Sequence, residues 1–128
     1  MSKVPRISDT EWQVMKILWT QSPISASVVI DRLEGVANWK PKTVKTLINR
    51  LVNKKAVDFE KDGRSYLYYP IVSEDECVKA ESQSFLDRIY DGALNVMVAK
   101  FIEDRKLSKA EIEELKQILD SKSEEEGD

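Results

Sequence analysis

The chain has 128 residues, 41% apolar and 34% charged, with a net charge of −3. That length bounds it to one small domain or one and a half, with a thin core. No apolar run approaches the roughly 18 residues of a membrane-spanning helix, and the absence of histidine removes the commonest general base and metal ligand.

No Gly-rich phosphate loop and no G-x-S-x-G elbow is present, so the reading is not an enzyme and no cofactor or metal is expected. The opening MSKVPRISDTEW lacks the apolar core of a secretory signal. A single cysteine, Cys77, cannot close an internal disulfide, and a cytoplasmic location is expected. The small net charge hides an asymmetry. Residues 1–70 carry twelve Lys/Arg against seven Asp/Glu, a balance of +5, whereas residues 71–128 carry eight against sixteen, a balance of −8. A basic first half suits a polyanionic partner.

In chain order, Ser8 and Glu11 have the spacing of a capping box, with Ile7 and Trp12 as its hydrophobic staple, and a helix is predicted over 9–20. Pro23 ends that segment. Ser25 is an N-cap for a second helix with Ala26, Val29, Ile30 and Leu33 inward, stopped by Gly35. The stretch WKPKTVKTLINRL at 39–51 places Val44, Leu47, Ile48 and Leu51 on one helical stripe. Pro41 suits the first turn. The opposite face holds Lys42, Lys45, Thr46, Asn49, Arg50 and Asn53. From Asn38 to Lys55 there are six cations and no anion, although surface helices commonly mix the two signs.

The period then changes to two. Val57 and Phe59 alternate with Asp58 and Glu60, Asp62-Gly63 is a two-residue hairpin signal, and Tyr66 to Tyr69 make the return strand. Beyond Pro70 the pattern is helical again. Ser73/Glu76 and Ser108/Glu111 are further capping boxes. Leu94, Met97, Val98, Phe101 and Ile102 line one helix, and Ile112, Leu115, Ile118 and Leu119 line the last. An acidic tail over 123–128 is read as disordered.

Three helices and a hairpin are the layout of a winged helix-turn-helix, with the third helix as reader. The expected class is mainly α with a small β-hairpin wing, followed by an α-helical dimerisation domain. The boundaries are 1–70 for the winged helix and 71–122 for the helical domain. Acids would be repelled from a helix facing two phosphate backbones, which accounts for their absence between Asn38 and Lys55. Thr and Asn offer short groups to base edges. Lys61 and Arg64 flank the expected turn and reach toward backbone or minor groove. The stripes at 94–102 and 112–119 are too small to bury themselves, and a second copy supplies the missing surface.

ISDTEWQVMKILW, WKPKTVKTLINRL, KDGRSYLYYP and SFLDRIYDGALNVMVAKFIEDRKLS together resemble the BlaI/MecI family of penicillinase and methicillin-resistance repressors, over nearly the whole chain in one register. The resemblance implies a cytoplasmic homodimeric repressor of β-lactamase or related genes, bound to a double-stranded operator dyad containing TACA and TGTA. It implies release by cleavage in the dimerisation domain after a membrane β-lactam sensor protease has been triggered. The reading residues it implies are Lys40, Lys42, Thr43, Lys45, Thr46 and Arg50, with Arg64 on the wing. Two departures stand out. Staphylococcal-type members are cut between Asn and Phe, where this chain has Lys100–Phe101. Members often end the third helix in KKG, where this chain has Lys54-Lys55-Ala56. A copper-sensing branch carries a cysteine-rich C-terminus that this chain lacks. The alternative is a winged-helix regulator controlled directly by a small ligand or another signal. A protein-binding module that never touches DNA is a further class. Cys77 is read as a small core residue rather than a redox sensor.

Overall fold

The computed structural model describes residues 4–126. Six helices and one hairpin follow in the order α1 (Asp9–Thr20), α2 (Ala26–Leu33), α3 (Pro41–Asn53), β1 (Val57–Asp62), β2 (Ser65–Pro70), α4 (Glu74–Tyr90), α5 (Leu94–Glu103) and α6 (Lys109–Glu126). Two compact units result, Met1–Ser84 and Phe85–Asp128, and the division falls within α4.

The first unit is built on a single core. Val14, Met15 and Leu18 of α1, Val29 and Leu33 of α2, and Val44, Leu47, Ile48 and Leu51 of α3 are buried together with Ile24, Ala56, Val57 and Cys77. The predicted stripes therefore face inward, as helical periodicity requires. Each start signal works as its residues dictate. The Ser8 hydroxyl accepts the Glu11 N–H at 3.2 Å while the Glu11 carboxylate accepts the Ser8 N–H at 2.8 Å. Ser73/Glu76 and Ser108/Glu111 repeat that reciprocal pair. Ser25 caps α2 through the Val28 N–H.

The end of α3 shows what the absent glycine entails. Lys55 takes a positive φ of 67°. Its N–H reaches the Val52 carbonyl at 3.0 Å, and the Ala56 N–H reaches the Leu51 carbonyl at 3.0 Å. These are the two bonds of a Schellman motif, closed by the buried Ala56–Leu51 pair. An L-residue with a side chain is strained there, by roughly 1–2 kcal/mol. Lys55→Gly is therefore expected to stabilise the first unit by about 0.5–1 kcal/mol, after the extra freedom glycine gives the unfolded chain. A thermal melt reads this as a Tm raised by a few degrees; an unchanged or lowered Tm would show that Lys55 carries no strain.

The hairpin register pairs Val57 with Pro70, Phe59 with Tyr68 and Asp62 with Ser65. This moves the turn by one residue from the expected Asp62-Gly63. The two central residues are Gly63 and Arg64, and among them only Gly63 has positive φ, at 65°. That is the signature of a type II′ turn, in which glycine leads, rather than the type I′ turn that Asp-Gly suggests. Arg64 thus sits in the turn itself instead of flanking it. A one-residue bridge joins Ile24 to Tyr68 through bonds of 3.1 and 2.7 Å, tying the wing to the segment before α2. Phe59 packs edge-on against Tyr66, with centroids 4.9 Å apart, and tilted against Tyr68 at 5.9 Å, so these tyrosines serve as packing.

The first unit also takes in the start of α4. The Trp19 indole N–H donates to the Val72 carbonyl at 2.9 Å, the Ile71 N–H reaches the Ala56 carbonyl at 2.8 Å, and Cys77 is 2% exposed. Burial, with the neighbouring Glu76 charge, pushes the Cys77 thiol above its ordinary pKa, as suits a packing residue.

The second unit is different in kind. None of its described residues is buried. Phe85, Tyr90 and Phe101 form an aromatic cluster with centroids 6.0–6.5 Å apart, and Arg105 lies over the Phe101 ring. The last helix runs on through residues 123–126, where the composition predicts a disordered tail. Glutamate is a good helix former, and a run of three continues a helix already begun. Residues 127 and 128 of that tail lie outside the described residues.

Candidate nucleic-acid interface

Because Val44, Leu47, Ile48 and Leu51 are drawn into the core, the rest of α3 must face water. Lys40, Lys42, Thr43, Lys45, Thr46 and Arg50 are all exposed, as are Lys61 and Arg64 on the hairpin. Among the described residues, Lys40, Lys42, Lys45, Arg50 and Arg64 make no ion pair. Their charges are free to act outward.

The start of α3 adds to this. Lys40 is the N-cap but makes no side-chain cap bond, and the first turn holds no acid. The positive end of the helix dipole is left open, where an anion is favoured. By contrast, α1 and α4 each carry acids in their first turns.

Thr46 donates its hydroxyl proton to the Lys42 carbonyl at 3.0 Å. That bond fixes the side-chain rotamer. It leaves the oxygen lone pairs of this exposed side chain available as acceptors.

A cleft of about 520 Å³ opens between α2, α3 and the wing, lined by Ser25, Ser27, Lys45, Asn49, Arg64, Ser65 and Tyr66 among others. No acid lines it. It brings together two of the residues expected from sequence, Lys45 and Arg64. Lys40, Lys42, Thr43, Thr46 and Arg50 lie elsewhere on the α3 surface, and Lys61 lies on β1 outside the cleft. Ser27, Asn49, Ser65 and Tyr66 were not among the expected site residues. Asn49 shares the cationic face and was within reach of sequence reasoning. The others depend on where the wing folds.

In the second unit, the expected dimerisation residues form unburied apolar surface. Leu94, Val98, Phe101 and Ile102 of α5 are 40–55% exposed, and Ile112, Leu115, Ile118 and Leu119 of α6 are 40–66% exposed. Met97 is half-buried. The Lys100–Phe101 bond lies in the last turn of α5, with both side chains exposed.

Among the described residues no group of His, Cys, Asp or Glu is placed to hold a metal, and no helix is long and apolar enough to cross a membrane. Comparison with known proteins decides the family. The model of the penicillinase repressor family matches residues 7–121. The chain belongs to the penicillinase repressor family. It is 44% identical over 120 residues to the penicillinase repressor of Bacillus licheniformis, covering 94% of each chain. It is 39% identical over 121 residues to the methicillin resistance regulatory protein MecI of Staphylococcus aureus, covering 94% of this chain and 98% of the relative. The solution structure of the BlaI DNA-binding domain matches 59% of this chain and 93% of its own, at 41% identity and a TM-score of 0.53. The monomeric form of B. licheniformis BlaI, solved in complex with the blaP half-operator, matches the same shares with a TM-score of 0.52. This member of the penicillinase repressor family is a transcriptional repressor with a winged-helix fold.

Proposed function

We propose that the protein is a homodimeric repressor that binds a TACA/TGTA-type operator dyad of β-lactamase or related resistance genes. Proteolytic cleavage in the second unit, following β-lactam detection by a membrane sensor protease, would inactivate it. The observation that carries the DNA reading is the acid-free, unpaired cationic surface of α3 with Arg64 in the wing turn. In this reading Lys40, Lys42, Lys45 and Arg50 hold phosphates, while Thr43 and Thr46 face base edges. Arg64 and Lys61 add contacts from the wing. The solved relative in complex with a half-operator supports it. Dimerisation is supported by the unburied apolar faces of α5 and α6, since an isolated pair of helices hides too little surface. Cleavage at Lys100–Phe101 would require the last turn of α5 to unwind, because a protease takes its substrate extended. The side chain before the bond would be Lys in place of Asn.

Fluorescence anisotropy against a TACA/TGTA dyad and a scrambled duplex, at several salt concentrations, tests the reading. The expected result is a preference of about a thousandfold or more with a steep salt slope. Equal, weak binding to both would overturn it. Within that assay Thr46→Ala is expected to relax discrimination at one base position by roughly 1–3 kcal/mol. Lys42→Ala should weaken all duplexes alike and lower the salt slope by about 0.9. Equal losses for Thr46→Ala on specific and scrambled DNA would remove it from base reading.

A further inference from the structure

Lys54 is the C-cap of α3, and by sequence it belongs with the six cations between Asn38 and Lys55. Its ammonium is directed differently. It donates to the Arg6 carbonyl at 2.8 Å and to the Glu11 carboxylate. Glu11 is 2% exposed and is the one charged side chain buried among the described residues. The Glu11 oxygen that receives Lys54 also receives the Ser8 N–H. Burial by itself would raise the Glu11 pKa. The bond from Lys54, the bonds from Ser8 and the Lys54 charge outweigh it and hold the carboxyl below its ordinary value, so it remains a carboxylate at neutral pH.

The position of this pair matters. It joins residues 43 apart in sequence, the last turn of α3 to the N-terminus of α1. Two residues beyond Lys54, Ala56 is buried, bonds back to Leu51 and accepts the Ile71 N–H. Lys54 therefore stands at the joint from which α3 and the wing both depart.

We propose that Lys54 is a positioning residue for DNA recognition and not a phosphate contact. Its link to Glu11 pins the end of α3 and the wing root to α1, so that the two cationic surfaces are presented at a fixed spacing. This rests on α3 and the wing being the DNA-binding face. Because the Lys54 charge is neutralised by Glu11, it adds nothing to counterion release. Removing it strands a buried carboxylate and lets the helix end shift.

The discriminating experiment measures binding of the full chain to the TACA/TGTA dyad and to a mixed-sequence duplex across a salt series. Lys54→Met should weaken the dyad complex by the same factor at every salt concentration, leaving the slope of log K against log salt unchanged. Lys54→Arg should restore the affinity. The Lys54 side chain is still 35% exposed, so both variants are expected to fold. Should Lys54→Met fail to fold, Glu11→Gln with Lys54→Met removes both charges and is expected to show the same parallel loss. A slope lowered by about 0.9 would make Lys54 a phosphate contact and overturn the proposal. A lowered Tm with unchanged affinity would also overturn it, leaving Lys54 a stabilising residue only. Lys42→Ala is the control. If it too leaves the slope unchanged on both duplexes, the DNA-binding face is misplaced, and that failure is distinct from the failure of the Lys54 link.

Discussion

A Leu115→Asp, Ile118→Asp double variant is expected to sediment as a monomer and to lose about 10²- to 10⁴-fold in affinity for a duplex carrying both half-sites. Its affinity for a single half-site should match the unaltered protein. The reasoning starts from exposure: Leu115 is 40% and Ile118 59% exposed in a unit with no buried described residue. Two such side chains per copy, buried in a paired state, contribute roughly 1.5–3 kcal/mol each, and a carboxylate in their place must be desolvated without a partner. When two reading helices are joined, the second half-site binds at an effective concentration set by the link. Separation removes that gain without altering any contact to DNA. A variant that stays dimeric would show that α6 is not the pairing surface. A variant that loses half-site affinity to the same degree would show that the second unit supports the first rather than joining copies.

The second large effect concerns where the first unit ends. A fragment of residues 1–84 is expected to unfold cooperatively, whereas a fragment of residues 1–70 should be destabilised by about 4 kcal/mol. The shorter fragment loses the Trp19–Val72 and Ile71–Ala56 hydrogen bonds, each contributing about 1 kcal/mol. It also loses the burial of Cys77 and the partial burial of Val72, which together contribute roughly 2 kcal/mol. Against the roughly 5–15 kcal/mol that holds a typical domain together, that loss takes between about a quarter and four-fifths of the margin. Urea titration of the two fragments decides it. Equal midpoints would mean that the start of α4 adds nothing to the first unit.

Local chemistry was the legible part of this chain. The three capping boxes at Ser8, Ser73 and Ser108 need only residues three apart, and each forms as its sequence dictates. The apolar stripe of α3 and the absence of acids opposite it fixed both which face is buried and which is left cationic. Less legible was anything set by partners far along the chain. The Ile24–Tyr68 bridge is a single residue whose strand character exists only because β2 lies beside it. The Glu11–Lys54 pair crosses 43 positions. The hairpin turn slipped by one because Asp-Gly and Gly-Arg both suit two-residue loops, and the pairing of Asp62 with Ser65 chose between them. At the candidate interface, the α3 face could be read from spacing. The cleft that unites Lys45 with Arg64 could not, since it exists only once the wing has folded against α2 and α3.

The bare apolar faces of α5 and α6 also bear on gene dosage. If pairing is what covers them, the species that spans both half-sites is a product of two chains, and at low expression its amount follows the square of the chain supply. Halving the intact pool then lowers the dimer by about a factor of four by mass action, and operator occupancy with it while the operator is far from saturated. A modest loss of intact chain would thereby be converted into a steeper transcriptional response.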